Sequence, residues 1–410
     1  MKKSVLILLV VMLQQMTWAQ EKENTFKVEL HGFIGVSGFY DSRQSVMSRN
    51  GHIYLYPSPE KLDINGNDIN AQGRYDLDAS VSRIGAHISG PEILGAKTST
   101  LLQGDFLGKT GSNDLAFRIR HAYVKLNWEK SYLLAGQYLN PMFVSETYPK
   151  LVTTNPGAPI HPLNRAVQIR YAHKLNNSIE LLALLVAQND HRNKEFTGSK
   201  SDEWSQLPEA DVQVKLTPGK KFFAAFTAGV KTLQPKLEEK LGENTIKTDE
   251  RITSWHLSAS AKSFFTSFNW KFGGVYGGNL TNLVMLGGVG KKTGNSQLTE
   301  YAPLMVASGW TDFESTNKKY QPGLFLGYTA NLGANESVEI IPELSRSPEI
   351  GYLYAISPRI KFYANPKIMI GAEYSYTVAA YGSKMNEKGK PSDFNTVANH
   401  RGLIMLKYLF

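Results

Sequence analysis

Arg118 and Arg120 flank Ile119, and Phe117 precedes them. In an extended chain, residues two apart share a face, so both guanidiniums point one way while Phe117 and Ile119 point the other. Arg170 stands in the same way between Ile169 and Tyr171, Arg359 and Lys361 bracket Ile360, and Arg401 shares its parity with Asn399 and Lys407. Arg83 follows Asp76, Asp78, Ser80 and Ser82, so it joins their face only if the strand shifts phase by one residue. Lys125 points the same way only if a bulge near His121 shifts the phase, which turns Val124 and Leu126 outward. Cations fixed around a narrow water-filled passage do electrostatic rather than covalent chemistry: they set which charge passes. The plainer reading of the same residues is a hydrated wall without selectivity. Asp76, Asp78 and Asp105 are the acids that would offset the arginines.

Covalent chemistry finds little support. The 410 residues contain no cysteine, which excludes disulfides, thiolate metal sites, a cysteine nucleophile and a lipoprotein anchor. Neither G-x-S-x-G nor H-E-x-x-H occurs. Gly290-Lys291-Lys292-Thr293 has the tail of a phosphate loop, but Met285 stands where the first glycine is required. Asp63-Ile64-Asn65-Gly66-Asn67-Asp68 has part of a calcium loop, but its glycine is misplaced and Arg74 occupies the position of the bidentate acid. The histidines lack metal spacing, and His31, His87 and His256 fall on polar parity. Ser254, His256 and Ser258 share a face, which is the minimum a lipase-type barrel would need. The expectation is a protein without catalytic residues, cofactor or metal, and without nucleic-acid binding, because the basic residues are scattered rather than clustered.

The elements that would position these cations are strands. Lys2 and Lys3 precede the apolar run Val5–Leu13, and Thr17-Trp18-Ala19 offers a cleavage site, so residues 1–19 read as a signal peptide and 20–410 as one domain. The formal charge is +9, and about +7 without the two leader lysines. No later stretch resembles a membrane helix. Segments of roughly ten residues alternate apolar and polar side chains instead, the pattern of a transmembrane barrel. Lys367–Tyr381 is the clearest: Ile368, Ile370, Ala372, Tyr374, Tyr376 and Val378 on one face, Glu373, Ser375 and Thr377 on the other. Pro358 removes a ladder hydrogen bond, so a bulge or edge irregularity is expected there.

Read this way, the chain forms an all-β, antiparallel barrel of about sixteen strands: 26–40, 74–89, 95–107, 115–128, 131–138, 164–174, 178–188, 208–217, 221–232, 251–263, 266–279, 319–331, 335–342, 351–364, 367–380 and 396–410. Long connections (41–73, 139–163, 189–207, 233–250, 280–318, 381–395) alternate with short ones such as 129–130, 176–177, 218–220, 332–334 and 365–366. Short turns at one rim and long loops at the other are usual for such barrels. The last strand ends on Phe410, with Tyr408, Leu406 and Ile404 at the same parity.

Three stretches carry a specific resemblance. Ser82-Arg83-Ile84-Gly85 leads through Pro91-Glu92-Ile93-Leu94-Gly95 to Gly104-Asp105-Phe106, and resembles the second and third strands of trimeric bacterial porins. Arg118–Leu126 resembles the fourth strand, and Leu134-Ala135-Gly136-Gln137 with Asn140-Pro141 resembles the fifth strand entering the third loop. The resemblance is closest to DcaP-like and related porins, including those of Bacteroidota, and its motifs span about residues 75–175. It implies a sixteen-stranded homotrimer of the Gram-negative outer membrane, in which loop 139–163 folds into the lumen as a constriction. Glu146 is the only acid on that loop, and Asn155 and His161 sit in its proline-rich part.

The expected function is passive diffusion of small hydrophilic solutes, with a preference for anions. The expected pore-lining set is Arg83, Arg118, Arg120, Lys125, Arg170, Arg359, Lys361 and Arg401. The expected partners are outer-membrane lipid and lipopolysaccharide, the barrel-assembly machinery through the terminal strand, and two further copies of the chain. The competing expectation is a closed barrel that displays its loops for adhesion or partner binding.

Overall fold

The computed structural model describes residues 26–110, 113–294 and 298–410; the expected signal peptide at 1–19 lies outside them. Sixteen antiparallel strands form a closed barrel. In chain order they are Lys27–Asp41, the interrupted pair Arg74–Asp78 and Arg83–Ile93, Ala96–Thr110, Asn113–Asn127, Ser131–Leu139, Arg165–Lys174, Ile179–Gln188, Glu209–Leu216, Phe222–Leu233, Ile252–Phe264, Phe268–Gly278, Tyr301–Ser315, Tyr320–Gly333, Ile350–Asn365, Ile368–Met385 and Pro391–Leu409. Each strand pairs with its sequence neighbour. The first strand closes the ring against the last, with Phe33 opposite Leu409 and Asp41 opposite Arg401. The terminal residue completes that seam: the Phe410 N–H donates to the Gly32 carbonyl, and the Gly32 N–H to the Phe410 carbonyl, both at 3.1 Å. Closure leaves no free edge, so every spanning backbone group finds its partner within the sheet.

The side chains are arranged inside out. Ile34, Val36 and Tyr40, Phe117 and Ile119, Ile169 and Tyr171, and Ile404, Leu406 and Tyr408 face outward and are exposed. Alternating with them, Ser37, Arg120, Arg170, Arg401 and Asp105 are buried within the lumen. Period two forces this separation, and it suits a barrel whose outer surface meets hydrocarbon and whose lumen meets water.

The expected count of sixteen holds, but two strand assignments were wrong and offset each other. Residues 335–342 do not form a wall strand; only Val338–Ile340 is extended, and it pairs with loop segment Gly288–Lys292. The missing wall strand is Tyr301–Ser315, which had been assigned to a long loop. Its inward face includes Leu304, Val306, Ser308 and Trp310. An inner face built partly of apolar residues blurs the alternation. As a result 332–334 lies at the long-loop end rather than among the short turns. Residues 381–395 are mostly the ends of two long strands joined by a short turn after Met385. Pro358 causes no bulge but a local irregularity: its strand stays in register with Tyr320–Gly333, Leu324 facing Pro358, while the pairing with Ile368–Met385 skips Ser357 and Pro358 without a register shift.

Three connections turn inward. The hairpin Ser45–Ser48 and Ile53–Pro57, the loop between Leu139 and Arg165, and the segment Leu280–Leu286 bury their apolar residues against Val306, Trp310, Phe325, Ile350 and Leu353 of the wall. This cluster fills one side of the lumen and leaves a passage along the other.

Candidate functional site

The passage is bounded by the barrel wall on one side and the inward loop 140–164 on the other. The loop is held to the far wall by specific hydrogen bonds. Glu373 Oε2 accepts from the Val152 N–H at 2.6 Å and the Thr153 N–H at 3.3 Å. The Thr147 hydroxyl donates to Ser260 Oγ at 2.8 Å, the Ser308 hydroxyl to the Ile160 carbonyl at 2.6 Å, and Lys361 Nζ to the Lys150 carbonyl at 2.5 Å. Near its end, Gly157 adopts φ +103°, and a Cβ there would sit 2.7 Å from the Phe325 ring. Only glycine allows the loop to lie this close to the wall.

A cavity of about 340 Å³ remains between the loop and the wall. Its charged lining residues are Arg83, Arg120, Lys150, Arg165, Lys361 and Lys407, with no aspartate or glutamate. Gln103, His121 and Phe33 complete the wall side, and Tyr148, Leu151 and Thr153 the loop side. Phe33 lies between two of the cations, 5.1 Å from the Arg83 guanidinium and 4.7 Å from Lys407 Nζ. The acids are set back from the lining. Asp105, fully buried, accepts from Arg118 Nε and Arg120 Nη1, both at 2.7 Å. Asp190 lies among Arg49 at 2.8 Å, Arg118 at 3.0 Å and Arg165 at 3.6 Å. Burial works against its charge, but His191, Arg118, Arg49 and Arg165 together hold its carboxyl well below the usual carboxylate range. Among the described residues Arg83, Lys150 and Lys407 line the cavity and form no ion pair.

Two irregularities explain how Arg83 and Lys125 reach the lumen. The second strand breaks at Ala79–Ser82, where Ser82 Oγ donates to the Ala79 carbonyl and accepts from the Gly35 N–H. Before the break Asp76 and Asp78 point inward; after it the phase has shifted and Arg83 does. On the strand Asn113–Asn127 a bulge falls at Arg120, because Gln103 faces His121 while Gly104 faces Ile119. One residue more on this strand turns both Arg120 and His121 toward the cavity and places Lys125 inside, 4.0 Å over the Tyr132 ring.

All eight expected cations therefore face the lumen, but only Arg83, Arg120 and Lys361 line the cavity. Arg118 is spent on Asp105 and Asp190. Arg170 donates to the Leu139 carbonyl at 3.0 Å and lies over Tyr138. Arg359 pairs with Asp312 at 2.8 Å. Arg401 donates to the Gly51 carbonyl and sits between the rings of Phe39 and Tyr54. Of the expected acids, Asp76 binds Arg74 and Asp78 binds His52.

The constriction-loop residues play parts different from those expected. Glu146 is drawn to the wall by Lys215 at 2.7 Å and does not line the cavity. Asn155 is a structural brace: its amide donates to the Tyr54 and Ala158 carbonyls, and its oxygen accepts from the N–H groups of Gly157 and Ala158. His161 is fully buried between Phe143 and Trp310, with no access to the passage.

Sequence reading missed Lys150, Arg165 and Lys407. Lys407 carried a usable signal, since it alternates with Leu406 and Tyr408. Lys150 and Arg165 lie on or beside the loop, where alternation says nothing. The Asp63 stretch is a turn in which Asp63 Oδ1 accepts the N–H groups of Asn65 and Asn67. Ser254 Oγ and His256 Nδ1 are both buried without a hydrogen-bond partner, so no serine–histidine dyad forms.

The model of the DcaP outer membrane protein family matches residues 17–208. No curated protein sequence matches the chain. Among solved structures the fold is similar to the outer membrane channel DcaP of Acinetobacter baumannii, with a TM-score of 0.67 and 17% identity over 96% of this chain and 99% of that one. It is similar to an anion-selective porin from Comamonas acidovorans, with a TM-score of 0.58 and 11% identity over 94% and 100% of the two chains. It is also similar to the trimer form of OmpT of Vibrio cholerae, with a TM-score of 0.52 and 10% identity over 94% and 100%.

Proposed function

We propose that this chain is an outer-membrane porin, a passive diffusion channel for small hydrophilic solutes that favours anions. The observation that carries the reading is the cavity beside the inward loop, whose charged lining is six cations and no acid. In a narrow passage with low-dielectric walls such a lining raises the local concentration of anions and repels cations. The exposed apolar exterior, the closed sixteen-stranded wall and the family match over residues 17–208 support the outer membrane as its location. The same reading includes export by a cleaved leader at residues 1–19, contact with lipid and lipopolysaccharide, and insertion by the assembly machinery through the strand ending at Phe410. It also includes a homotrimer, in keeping with the trimer form of OmpT.

Purified full-length protein in planar bilayers under a potassium chloride gradient tests it. The expected result is an open channel whose reversal potential has the sign of chloride preference. A cation-selective reversal potential rejects the anion preference. Absence of solute flux in liposome swelling with folded protein rejects the porin reading itself.

A further inference from the structure

On the strands Glu209–Leu216 and Ile252–Phe264, away from the cavity, the wall holds a group of side chains that solute passage does not use. Asp211, on Glu209–Leu216, faces Gly229 across the sheet, and Gly229 faces His256 on Ile252–Phe264. The glycine is what lets the outer two meet: a Cβ at position 229 would lie 2.0 Å from Asp211 Oδ1 and 2.4 Å from His256 Nε2. Those two atoms are 2.7 Å apart, and Glu209 Oε1 is 3.9 Å from the same nitrogen. All three side chains are at most 5% exposed.

Two carboxylates face one imidazole, and among the described residues no lysine or arginine lies within ion-pair distance of either, although the buried Lys231 ammonium acts on both from further away. Lys231, adjacent in the sheet, turns its ammonium to the Asn279 carbonyl and Asn282 Oδ1, each at 2.6 Å. Asp211 Oδ2 is buried and accepts no hydrogen bond. Glu209 has only two long contacts, from Asn140 at 3.4 Å and Asn282 at 3.5 Å. Buried carboxylates this poorly satisfied call for a cation.

We propose that Glu209, Asp211 and His256 bind one divalent transition-metal ion of the Zn²⁺ class. His256 Nε2 lies 2.7 Å and 3.9 Å from the two carboxylate donors, either side of the edge of about 3.3 Å expected for a tetrahedron with bonds of about 2.0–2.1 Å, and all three donors lie within 4.8 Å of one another. Two oxygens and an imidazole nitrogen suit Zn²⁺ better than Ca²⁺ or Mg²⁺, which take six or more oxygens or keep most of their waters. Water occupies the fourth position. The ion braces the lumen: through Glu209 it reaches Asn140 at the start of the inward loop and Asn282 in the segment Leu280–Leu286. None of this depends on which solute crosses the barrel.

Untagged full-length protein, folded in detergent and stripped with chelator, is loaded with zinc chloride and desalted, and bound metal is measured by mass spectrometry. The expected result is about one Zn²⁺ per chain, at least tenfold weaker binding in Asp211→Asn and in His256→Ala, and no competition from a hundredfold excess of Mg²⁺. Heat-modifiable mobility on gels confirms that each variant has folded. Retention by the unaltered protein no greater than by the variants, or displacement by Mg²⁺, overturns the proposal. If the variants do not fold, anomalous scattering at the zinc edge from crystals of the unaltered protein decides. A peak between Asp211 and His256 supports the site, and a peak elsewhere or none rejects it.

Discussion

At the scale of single residues, a cation counts for selectivity only if no carboxylate consumes its charge. Arg118 has ideal alternation and reaches the lumen, yet Asp105 and Asp190 neutralise it. Arg83, Lys150 and Lys407 act on the passage without that offset. Arg83→Glu combined with Lys407→Glu is therefore expected to move the reversal potential toward cation preference. Arg359→Gln, remote from the cavity and paired with Asp312, is expected to leave its sign unchanged. Asp190→Asn is expected to strengthen anion preference, because Arg49, Arg118 and Arg165 lose their shared acid. It also leaves three buried cations less well paired, at a cost of about 3 kcal/mol, readable as a lower urea midpoint in unfolding from liposomes. Asp190 stays ionised below the usual carboxylate range. Its contribution to stability is present above the unfolded-state value and fades only as the pH falls through its depressed one. The difference between the unaltered protein and Asp190→Asn should thus persist from neutral pH to about pH 4.

At the scale of elements, the phase of a strand decides the meaning of a residue. Ile119 lies between two inward arginines and faces outward. Ile119→Arg puts a guanidinium into the hydrocarbon at a cost of about 2–4 kcal/mol near the midplane, whereas the native arginines one position either side face the lumen. Urea titration of the folded protein in liposomes reads this as a lowered midpoint without change in pore sign. Among the wall residues that hold the inward loop, Glu373 takes two of its backbone donors. Glu373 accepts the N–H groups of Val152 and Thr153. Glu373→Ala leaves both donors without their acceptor and is expected to increase open-channel current noise and mean conductance while the barrel remains folded. Single-channel recording checks this, and quiet channels of unchanged conductance would show that the apolar cluster and the remaining hydrogen bonds hold the loop.

At the scale of the whole molecule, the sheet becomes a pore by closing at one seam. Gly32 and Phe410 exchange two backbone hydrogen bonds there, and the register continues to Asp41 and Arg401. Removal of Phe410 deletes the last rung and an exposed aromatic at the rim. The expected outcome is a lower yield of heat-modifiable barrel in membranes, with the protein that does fold keeping the selectivity of the unaltered channel. The lumen is wide enough to take three inward-turned segments, which pack into an apolar cluster and leave a cavity beside the loop. The shape of the passage is thus a property of the assembled ring and of none of its strands alone.

The sequence by itself determined the barrel. Side chains in a strand must alternate, a lipid-facing exterior must be apolar, and this pattern is local, so Lys367–Tyr381, the segment around Arg118 and the terminal strand could be read without coordinates. It failed at Tyr301–Ser315, where the inner face packs against inward segments and is itself apolar, so that the two faces no longer differ. It located the phase shift before Arg83 and the bulge near His121, but not the strand break at Ala79–Ser82 that produces the first of them. Only the tertiary structure decided which cations matter. Asp190, Lys150 and Arg165 lie on or beside loops, and whether a charge is offset depends on partners as far away in sequence as Arg49 is from Asp190. It also assigned Glu146, Asn155 and His161 to the wall, the loop brace and the core, because the path of a loop is set by what it packs against and not by its own composition.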